Sequence, residues 1–476
     1  MRTALAKLSA QPLDLLIIGG GIVGSGVARD AAMRGLRVGL VDQSDFASGT
    51  SSRSSRLLHG GLRYLAQGRL GLVHEASVEK TIIHHIAPHL AQPLAFIFPT
   101  RRGTEWKLWK LRIGVKIYDL LCHGRNLGKS TSFSAAKTLE ELPQLKPDNL
   151  TGSVRYFDGL TNDARLVLDT LRSAEAHGAL LANYTRLESS TRADDGWLCK
   201  LTDQLSGESV DVSARCVINA AGAWADRLPQ SQVKLRLTKG VHLVIDRDRL
   251  PIADAVVMTE GSRILFAIPW GQRVILGTTD TDYTGPIESP RCEPADARYI
   301  LDVTNANFSV KLNTDDIIST WAGLRPLIAD PKGRPSDISR AHQIMTPQPG
   351  WIDVAGGKLT TYRLMAEQTV DLAAKQLAKN IPKSPTAEEP LLSDDSKFSG
   401  ILPPEFSREA VEHYCRNEWA VHLADIMIRR TSWRYYYRNH AELARQAAQW
   451  MREICGWSEA EESREVSDYL AACSSR

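Results

Sequence analysis

The sequence predicts an α/β protein with three parts: a nucleotide-binding unit, a second unit built on a mixed or antiparallel sheet, and a small α-helical region at the C-terminus. Three observations support this prediction. A strand, turn, helix, strand pattern opens the chain, short β-rich segments fill its middle, and helical patterns begin at about Pro390. At 476 residues the chain is also longer than one hydrophobic core usually supports, so several domains are expected.

The first element is a βαβ unit near the N-terminus. Residues 14–18 (DLLII) form a short apolar run that ends in glycines, a helical pattern continues through VGSGVARDAAMRG, and residues 37–42 (RVGLVD) form the next strand. Between strand and helix, Gly19, Gly21 and Gly24 satisfy G-x-G-x-x-G. The first glycine allows the sharp turn, the second lets the backbone approach a pyrophosphate, and the third permits close helix packing. In this context the motif predicts a dinucleotide site.

Asp42 supplies the second half of this signature, because it ends the strand about twenty residues beyond the glycines. Its carboxylate would accept hydrogen bonds from the adenosine ribose, while the helix N-terminus would offer N–H groups and partial positive charge to the phosphates. NAD and FAD carry the same adenylate half, so the motif alone does not decide between them.

The middle of the chain predicts a second sheet. Residues 163–178 (DARLVLDTLRSAEAHG) have apolar positions at helical spacing, and residues 179–187 (ALLANYTRL) predict a strand. HLVI, RILFAIPW, RVILGTTD and DIISTWAGLRPL then follow as short β-rich segments separated by turn residues. A linker containing proline and serine, IPKSPTAEEPLLSDD, precedes C-terminal helical patterns rich in Glu, Arg, Ala and Trp.

Composition argues against several functions. The formal charge of +3 is small and diffuse, so no nucleic-acid partner is expected. The seven cysteines are widely spaced without a C-x-x-C pair, which fits a reducing compartment. Neither a metal-ligand spacing nor a G-x-S-x-G elbow is present, so no metal is expected. No apolar run approaches about 18 residues, which predicts a protein that is soluble or attached to a membrane surface.

Several motifs together resemble one family. IIGGGIVGSG, GTSSRSSRLLHGGLRYL, NAAGAW, LTKGVHLVI, GTTDTDY, GLRPL and GGKLTTYR look like the FAD-dependent glycerol-3-phosphate dehydrogenases and occur in that family's order from about residue 14 to residue 365. Residues 418–431 (EWAVHLADIMIRRT) resemble the signature of the family's C-terminal helical domain. The region from about Pro390 is short for this family, and this departure leaves the role of that domain in forming a homodimer open.

The resemblance implies a D-amino-acid-oxidase-like fold with a Rossmann-type FAD-binding domain, a mixed-sheet substrate domain and a C-terminal α-helical domain. It also implies oxidation of sn-glycerol 3-phosphate to dihydroxyacetone phosphate, with FAD as cofactor and electrons passed to ubiquinone or menaquinone. On this basis we expect FAD-binding parts at 1–75, 151–230 and 346–385, a substrate or membrane-facing region at 76–150, the substrate-domain sheet at 231–345 and the helical domain at 390–476.

The resemblance further assigns cofactor contacts. Hydroxyl groups near residue 50 would bind the pyrophosphate and ribityl oxygens, the HGG segment would pass the isoalloxazine, and the turn after residue 356 would face its pyrimidine side. The predicted cofactor-binding residues are Gly19, Gly21, Ile22, Val23, Gly24, Asp42, Gln43, Thr50, Ser51, Ser52, Ser55, His59, Gly60, Gly61, Leu187, Gly222, Lys358, Leu359 and Thr360.

A phosphate dianion calls for two or more guanidinium or ammonium anchors. By resemblance the predicted substrate-binding residues are Arg63, Tyr64, Arg325, Arg340 and Lys358, and the alternative for each arginine is a surface or ion-paired role. Lys358 would also stabilise the negative charge of reduced flavin. Arg53 and Arg56 have no assigned partner.

His242 is the predicted base and completes the catalytic set with Arg325 and Lys358, because an imidazole with a pKa near 6.5 can take a proton at neutral pH. A lone strand histidine is commonly structural, so that alternative stays open. An arginine beside the hydroxyl could instead lower the pKa of the alcohol and leave no dedicated base.

Residues 101–116 (RRGTEWKLWKLRIGVK) carry six basic residues and one acid among tryptophans and aliphatic residues. Such a mixture is typical of a segment at a membrane surface, although its apolar positions fit neither a helix stripe nor an alternation, and a buried segment with a basic edge remains the alternative. With the quinone acceptor, this predicts a cytoplasmic protein bound peripherally to the inner face of the cell membrane. The open alternatives for function are an oxidase using O2 and an amine or amino-acid oxidase of the same superfamily.

Overall fold

The computed structural model describes residues 3–61, 69–121, 127–329, 342–392 and 397–474, and the statements below concern those ranges. Their strands form two sheets. In chain order the strands are β1 (Leu13–Ile18), β2 (Val38–Val41), β3 (Leu57–Leu58), β4 (Gln92–Arg101), β5 (Thr131–Phe133), β6 (Leu150–Leu160), β7 (Leu180–Ala182), β8 (Thr185–Ala193), β9 (Gly196–Asp203), β10 (Ser209–Asn219), β11 (Leu235–Asp246), β12 (Ala255–Glu260), β13 (Arg263–Trp270), β14 (Arg273–Gly277), β15 (Thr281–Asp282), β16 (Ile317–Ile328), β17 (His342–Gln348) and β18 (Trp351–Gly356).

The helices cover the faces of these sheets and make up the C-terminal region. In chain order they are α1 (Thr3–Ser9), α2 (Ile22–Met33), α3 (Leu70–Ile86), α4 (Leu108–Leu121), α5 (Ala135–Glu141), α6 (Asp163–Ala176), α7 (Pro294–Asn307), α8 (Tyr362–Gln376), α9 (Arg408–Asn417), α10 (Trp433–Tyr436), α11 (His440–Cys455) and α12 (Glu459–Ser474). A π-helix occupies Asp425–Arg430, and short 3-10 turns include Thr50–Ser52 and Leu359–Thr361.

The first sheet is parallel at its centre. Strands β18, β10, β1, β2 and β7 run parallel in that order, β17 pairs with β18 antiparallel, and the hairpin β8–β9 extends from β10. Every residue of β1 is buried, as expected for a strand covered on both faces. Helix α2 packs against α6 and α8 on one face, and Leu8 and Trp197 pack on the other. The predicted strand, turn, helix, strand unit is confirmed.

The second sheet is mixed, as predicted. Its order is β15, β11, β14, β13, β12, β4, β6 and β3, with β16 beside β11 and β5 beside β6; the β12–β4 pair is parallel, and the other pairs are antiparallel. One face packs on α7 and the other on α4. Strand β6 belongs to this sheet, so here the expected FAD-binding segment 151–230 needs correction: its first ten residues continue the second sheet because β6 pairs with β4 along its length. The other domain boundaries stay predictions.

The C-terminal region is helical and has its own core. Trp433 and Met451 pack among residues of α9, the π-helix and α11. Buried ion pairs join this region to the first unit. Glu418 receives two hydrogen bonds from Arg165 on α6, at 2.5 and 2.9 Å, and Asp45 accepts from the guanidinium of Arg430. These contacts fix the helices against the side of the first unit that carries the glycine motif.

Candidate active site

A cavity of about 1000 Å³ runs between the two sheets. One end is lined by the turn after β1 and by Asp42, and the other by side chains of the second sheet, including His242 and Arg325. This volume is at the upper end of the range for small-molecule sites, which suits an extended ligand that reaches from one sheet to the other.

The glycine turn forms the first end of the cavity. Gly19 has a φ of 112°, and a side chain there would come within 2.5 Å of the Ala220 carbonyl oxygen. A side chain at Gly24 would lie 1.9 Å from the Gly19 oxygen, so close packing of α2 on β1 requires glycine. Ser51 accepts a hydrogen bond from the backbone N–H of Ile22, at 3.0 Å. The start of α2 is thus tied to the serine-rich segment.

Asp42 lies just past the end of β2. Its two carboxylate oxygens accept hydrogen bonds from the backbone N–H groups of Gly20 and Ser44, at 2.7 and 2.9 Å. Burial raises the pKa of Asp42 to about 6, although these bonds oppose the shift. Further donors, such as the ribose hydroxyls of a dinucleotide, would favour the charged carboxylate. The glycine turn, the acid and the helix N-terminus therefore fit the adenylate half of FAD.

The structure gives Arg56, which had no assigned partner, a structural role. It is fully buried, its guanidinium lies 4.4 Å from the Trp270 ring centre and 3.9 Å from Asp163, and it donates to Ser432 at 2.9 Å. It therefore ties the segment to the second sheet and the C-terminal helices. Arg53 instead lines the cavity.

The His59–Gly60 backbone is held from two sides. His59 donates its backbone N–H to the Thr360 hydroxyl at 3.1 Å, and Gly60 donates to the Tyr118 hydroxyl at 2.9 Å. Lys80 and Tyr118 both bond to the Asp158 carboxylate, at 2.9 and 2.5 Å. This buried cluster fixes the position at which the HGG segment meets the cavity.

Most predicted cofactor residues line the cavity. Three do not line it: Gly24, Ser52 and Gly60 are buried behind its wall, and their contact with the cofactor stays a prediction. The predicted cofactor residues that line the cavity are Gly19, Gly21, Ile22, Val23, Asp42, Gln43, Thr50, Ser51, Ser55, His59, Gly61, Leu187, Gly222, Lys358, Leu359 and Thr360.

Arg325 lies on β16, which pairs with β11, and both strands reach the cavity. Its guanidinium donates to the Asp280 carboxylate and to the Thr278 hydroxyl, each at 3.1 Å. A side chain at Gly240, on the neighbouring strand β11, would come within 2.4 Å of the guanidinium, so glycine makes room for it. Arg325 is therefore both ion-paired and oriented. The motif GTTDTDY contains its two partners, which sequence reasoning left without a role.

His242 lies on β11 and is only 2% exposed. Burial, then the charges of Arg325 and Arg56, lower its pKa to about 3. The expectation of an imidazole near pKa 6.5 was therefore wrong for this structure, because the sequence did not show the burial or the two guanidinium groups. The ring stacks on Trp321 with centres 5.1 Å apart, and Nε2 lies 2.8 Å from the Ser55 hydroxyl.

Lys358 stands where β18 turns towards α8. Gly356 and Gly357 both have positive φ, 74° and 81°, and turn the chain into the cavity wall. Three predicted substrate residues, Arg63, Tyr64 and Arg340, lie outside the described residues.

Comparison with known proteins first identifies the class of protein to which the chain belongs. Residues 14–372 match the family model described as FAD dependent oxidoreductase, and residues 395–462 match the C-terminal domain of alpha-glycerophosphate oxidase. Because the first model matches most of the chain, the protein belongs to the FAD-dependent oxidoreductases.

The relatives narrow this class. Glycerol-3-phosphate dehydrogenase 2 of Mycobacterium tuberculosis is 34% identical over 98% of this chain and 89% of its own length. Aerobic glycerol-3-phosphate dehydrogenase of Staphylococcus aureus is 41% identical over 77% of this chain and 68% of its own. The crystal structure of the glycerol-3-phosphate dehydrogenase from Bacillus halodurans, complexed with FAD, has a TM-score of 0.81 and 31% identity and covers 99% of this chain and 96% of its own. Within its class the chain is thus an FAD-dependent glycerol-3-phosphate dehydrogenase.

Proposed function

We propose that this protein oxidises sn-glycerol 3-phosphate to dihydroxyacetone phosphate and passes the electrons to a membrane quinone. The observation that carries the proposal is the single cavity that joins the nucleotide motif to Arg325, Lys358 and His242. Bound FAD would supply the hydride acceptor. The names of the relatives support the substrate.

The residues of the second sheet would bind and orient the substrate. Arg325 presents a guanidinium whose geometry is fixed by Asp280 and Thr278, which suits bidentate recognition of a phosphate. Lys358 would add a second positive charge at the opposite wall, and a buried, neutral His242 would accept the proton of the hydroxyl.

Reduction of the bound flavin tests this substrate. Purified protein should contain FAD, and sn-glycerol 3-phosphate should bleach it under anaerobic conditions. The enantiomer sn-glycerol 1-phosphate, glycerol and sarcosine are the controls and should react much more slowly. Bleaching by sarcosine or glycine without a response to sn-glycerol 3-phosphate would instead identify an amine or amino-acid oxidase.

An aromatic part of the cavity supports an apolar electron acceptor. It is lined by Phe96, Phe98, Tyr156 and Phe266, and by Trp106, which lies just before α4 in the chain. A quinone ring can pack against such aromatic side chains, whereas the polar groups of a phosphorylated triol cannot. Because the C-terminal family model is described from an oxidase, oxygen is the rival acceptor. Stopped-flow reoxidation of reduced protein by a soluble quinone and by oxygen should favour the quinone by at least about tenfold in rate.

Helix α4 supports attachment to a membrane surface. Leu111, Val115 and Tyr118 are buried on one side, while Trp109 is 61% and Leu120 is 75% exposed on the other. With the exposed Ile113 and Ile117 these form a stripe at positions 109, 113, 117 and 120, and the basic residues Lys110, Arg112 and Lys116 flank it. The sequence segment 101–116 did not reveal this stripe, because it covers only part of the stripe and includes a stretch that is not helical.

Aromatic rings at headgroup level and flanking positive charge are what an anionic lipid surface binds. None of the helices in the described part of the chain is long and apolar enough to cross a membrane. Sedimentation with phosphatidylglycerol vesicles tests the attachment: Trp109→Ser with Leu120→Ser should reduce binding at least about tenfold. The control is Leu198→Ser, which removes an equally apolar, 41% exposed side chain from β9 and should leave binding unchanged. Equal loss in both proteins would contradict the proposal.

A further inference from the structure

The imidazole of His242 and the hydroxyl of Ser55 face the cavity unequally. His242 is 2% exposed, whereas Ser55 is half-buried and lines the same cavity. The Ser55 Oγ lies 2.8 Å from His242 Nε2. We infer that Ser55 is a catalytic residue of this dehydrogenase, whose hydroxyl relays the proton of the substrate alcohol to His242 Nε2. The inference rests on the proposed function and adds a role to the predicted contact of Ser55 with the cofactor.

Both members of this pair are held in place. The His242 ring stacks on Trp321 at an angle of 20°, and on another side a side chain at Gly277 would come within 2.5 Å of its Cδ2. The Trp321 indole donates to the Ser54 carbonyl oxygen at 3.1 Å. One tryptophan therefore fixes the imidazole and the backbone beside Ser55 together, so that the hydroxyl and Nε2 keep their distance without help from a ligand.

The hydrogen positions follow from the direction of the relay. Nε2 must be a bare acceptor for Ser55 to donate to it, which places the ring hydrogen on Nδ1. Nδ1 is buried and makes no hydrogen bond within the described ranges, so it offers the cavity no accepting atom. Among the described side chains, the Ser55 hydroxyl is the hydrogen-bonding partner of His242 Nε2, so the relay from the substrate to this nitrogen passes through it.

The step balances as a proton transfer coupled to hydride loss. The O–H bond of the substrate breaks while a new O–H bond forms at Ser55, and the original Ser55 proton forms an N–H bond at His242 Nε2. The C–H hydrogen leaves with its electron pair to the FAD, and a C=O bond forms at the substrate carbon. The imidazolium later returns its proton to solvent through the same hydroxyl.

Charge makes the relay depend on bound substrate. Arg325 and Arg56 are the charged groups that disfavour an imidazolium at His242. A phosphate dianion near Arg325 would offset part of their field. The pKa seen in the pH dependence of kcat should therefore exceed the one seen in kcat/KM, which reports the free enzyme.

Substitution of Ser55 in the FAD-loaded protein tests the relay. Ser55→Ala should lower kcat at least about a hundredfold, keep the FAD content and the KM within about twofold, and abolish the solvent deuterium isotope effect on flavin reduction. Ser55→Thr keeps a hydroxyl and should recover at least a tenth of the rate. Ser51→Ala is the matched control: Ser51 holds the start of α2, so this variant should bind FAD more weakly, and the fraction that retains FAD should show an unchanged isotope effect.

A double variant distinguishes a relay from two separate effects. Ser55→Ala combined with His242→Asn should be no slower than either single variant, because both substitutions interrupt the same proton path. Additive losses, full activity of Ser55→Ala, or a loss of activity that follows loss of FAD would each overturn the relay. A wild-type protein that sn-glycerol 3-phosphate does not bleach would overturn the proposed function as well, whereas a bleached wild type with a fully active Ser55→Ala would overturn the relay alone.

Discussion

Two regions of this protein bury charge in opposite ways. At the joint with the C-terminal helices, each buried acid faces an arginine: Glu418 pairs with Arg165, and Asp45 pairs with Arg430. In the cavity, Asp42 has only backbone N–H donors among the hydrogen bonds of the described residues, and its pKa rises to about 6. The joint is complete as it stands, whereas the cavity leaves charge to be balanced by its ligands.

The largest effect should come from breaking the joint. Arg165→Met keeps the volume but leaves Glu418 buried without its bidentate partner, so the free energy of unfolding should fall by about 3–5 kcal/mol. The midpoint of urea unfolding, followed by circular dichroism, measures it. The exposed pair of Lys397 and Glu409 is the control, since Lys397→Met should cost below about 1 kcal/mol. Equal losses would remove the distinction between the joint and an ordinary surface pair.

The second largest effect should come from acid, which should weaken the ion pairs of the joint. Neighbouring Arg430 and Arg429 overcome the effect of burial and hold the pKa of Asp45 below its usual range. A carboxylate with a lowered folded-state pKa stabilises the protein above its unfolded pKa, near 4, and this stabilisation is lost as the pH falls below that value. We expect a loss of order 2 kcal/mol between pH 4 and pH 2. A pH series of unfolding midpoints should become flatter in Asp45→Asn, and an unchanged slope would contradict the pairing.

Arg325 should show what an oriented cation in the cavity contributes. Arg325→Ala should raise the KM for sn-glycerol 3-phosphate about thirtyfold, or about 2 kcal/mol, with the FAD content unchanged. Steady-state kinetics and the ratio of flavin to protein absorbance measure both. Arg249, half-exposed and paired with Asp316, is the matched arginine outside the cavity, and its alanine variant should behave as wild type. A rise in KM for Arg249→Ala of the same size would point to a general charge effect.

The smallest effect concerns Asp42 and FAD. Asp42→Asn should weaken FAD binding about tenfold, or about 1.4 kcal/mol, because a charge-assisted bond to the ribose becomes neutral. In the wild type, affinity should also fall as the pH drops through about 6, where the carboxylate takes up a proton. Titration of the apoprotein with FAD at several pH values tests both. The affinity of Asp42→Asn for FAD should not depend on pH in this range. The control Asp248→Asn changes an exposed aspartate and should bind FAD as the wild type does.

The difference between joint and cavity also explains what the sequence could predict. The turn at Gly19 and Gly24 depends on local spacing, so the βαβ unit and the position of Asp42 were readable from the chain. The identity of an ion pair between residues 165 and 418 was not, because nothing local links them. Arg56 had no visible partner for the same reason, and only the fold brings Asp163 and Trp270 around it.

His242 and α4 show a second limit. The chemistry of an imidazole is local, but its pKa depends on burial and on two arginines from other segments. The stripe on α4 could be recognised only once the bounds of the helix were known. The helix begins at Leu108 and ends at Leu121, so it leaves out the first part of segment 101–116 and extends about one turn beyond its end. The motifs indicated many of the residues that line the cavity, but residue type could not indicate the protonation of His242.

The order of strands in the first sheet has a consequence for synthesis. Strand β1 pairs with β10, which lies about two hundred residues later, and β10 pairs in turn with β18. When the glycine turn leaves the ribosome, β10 and β18 have therefore not yet been made, and closing such long loops delays stable pairing. The FAD site can be completed only when residue 360 has emerged. Shorter nascent chains must hold exposed apolar strands meanwhile, which makes them candidates for chaperone binding.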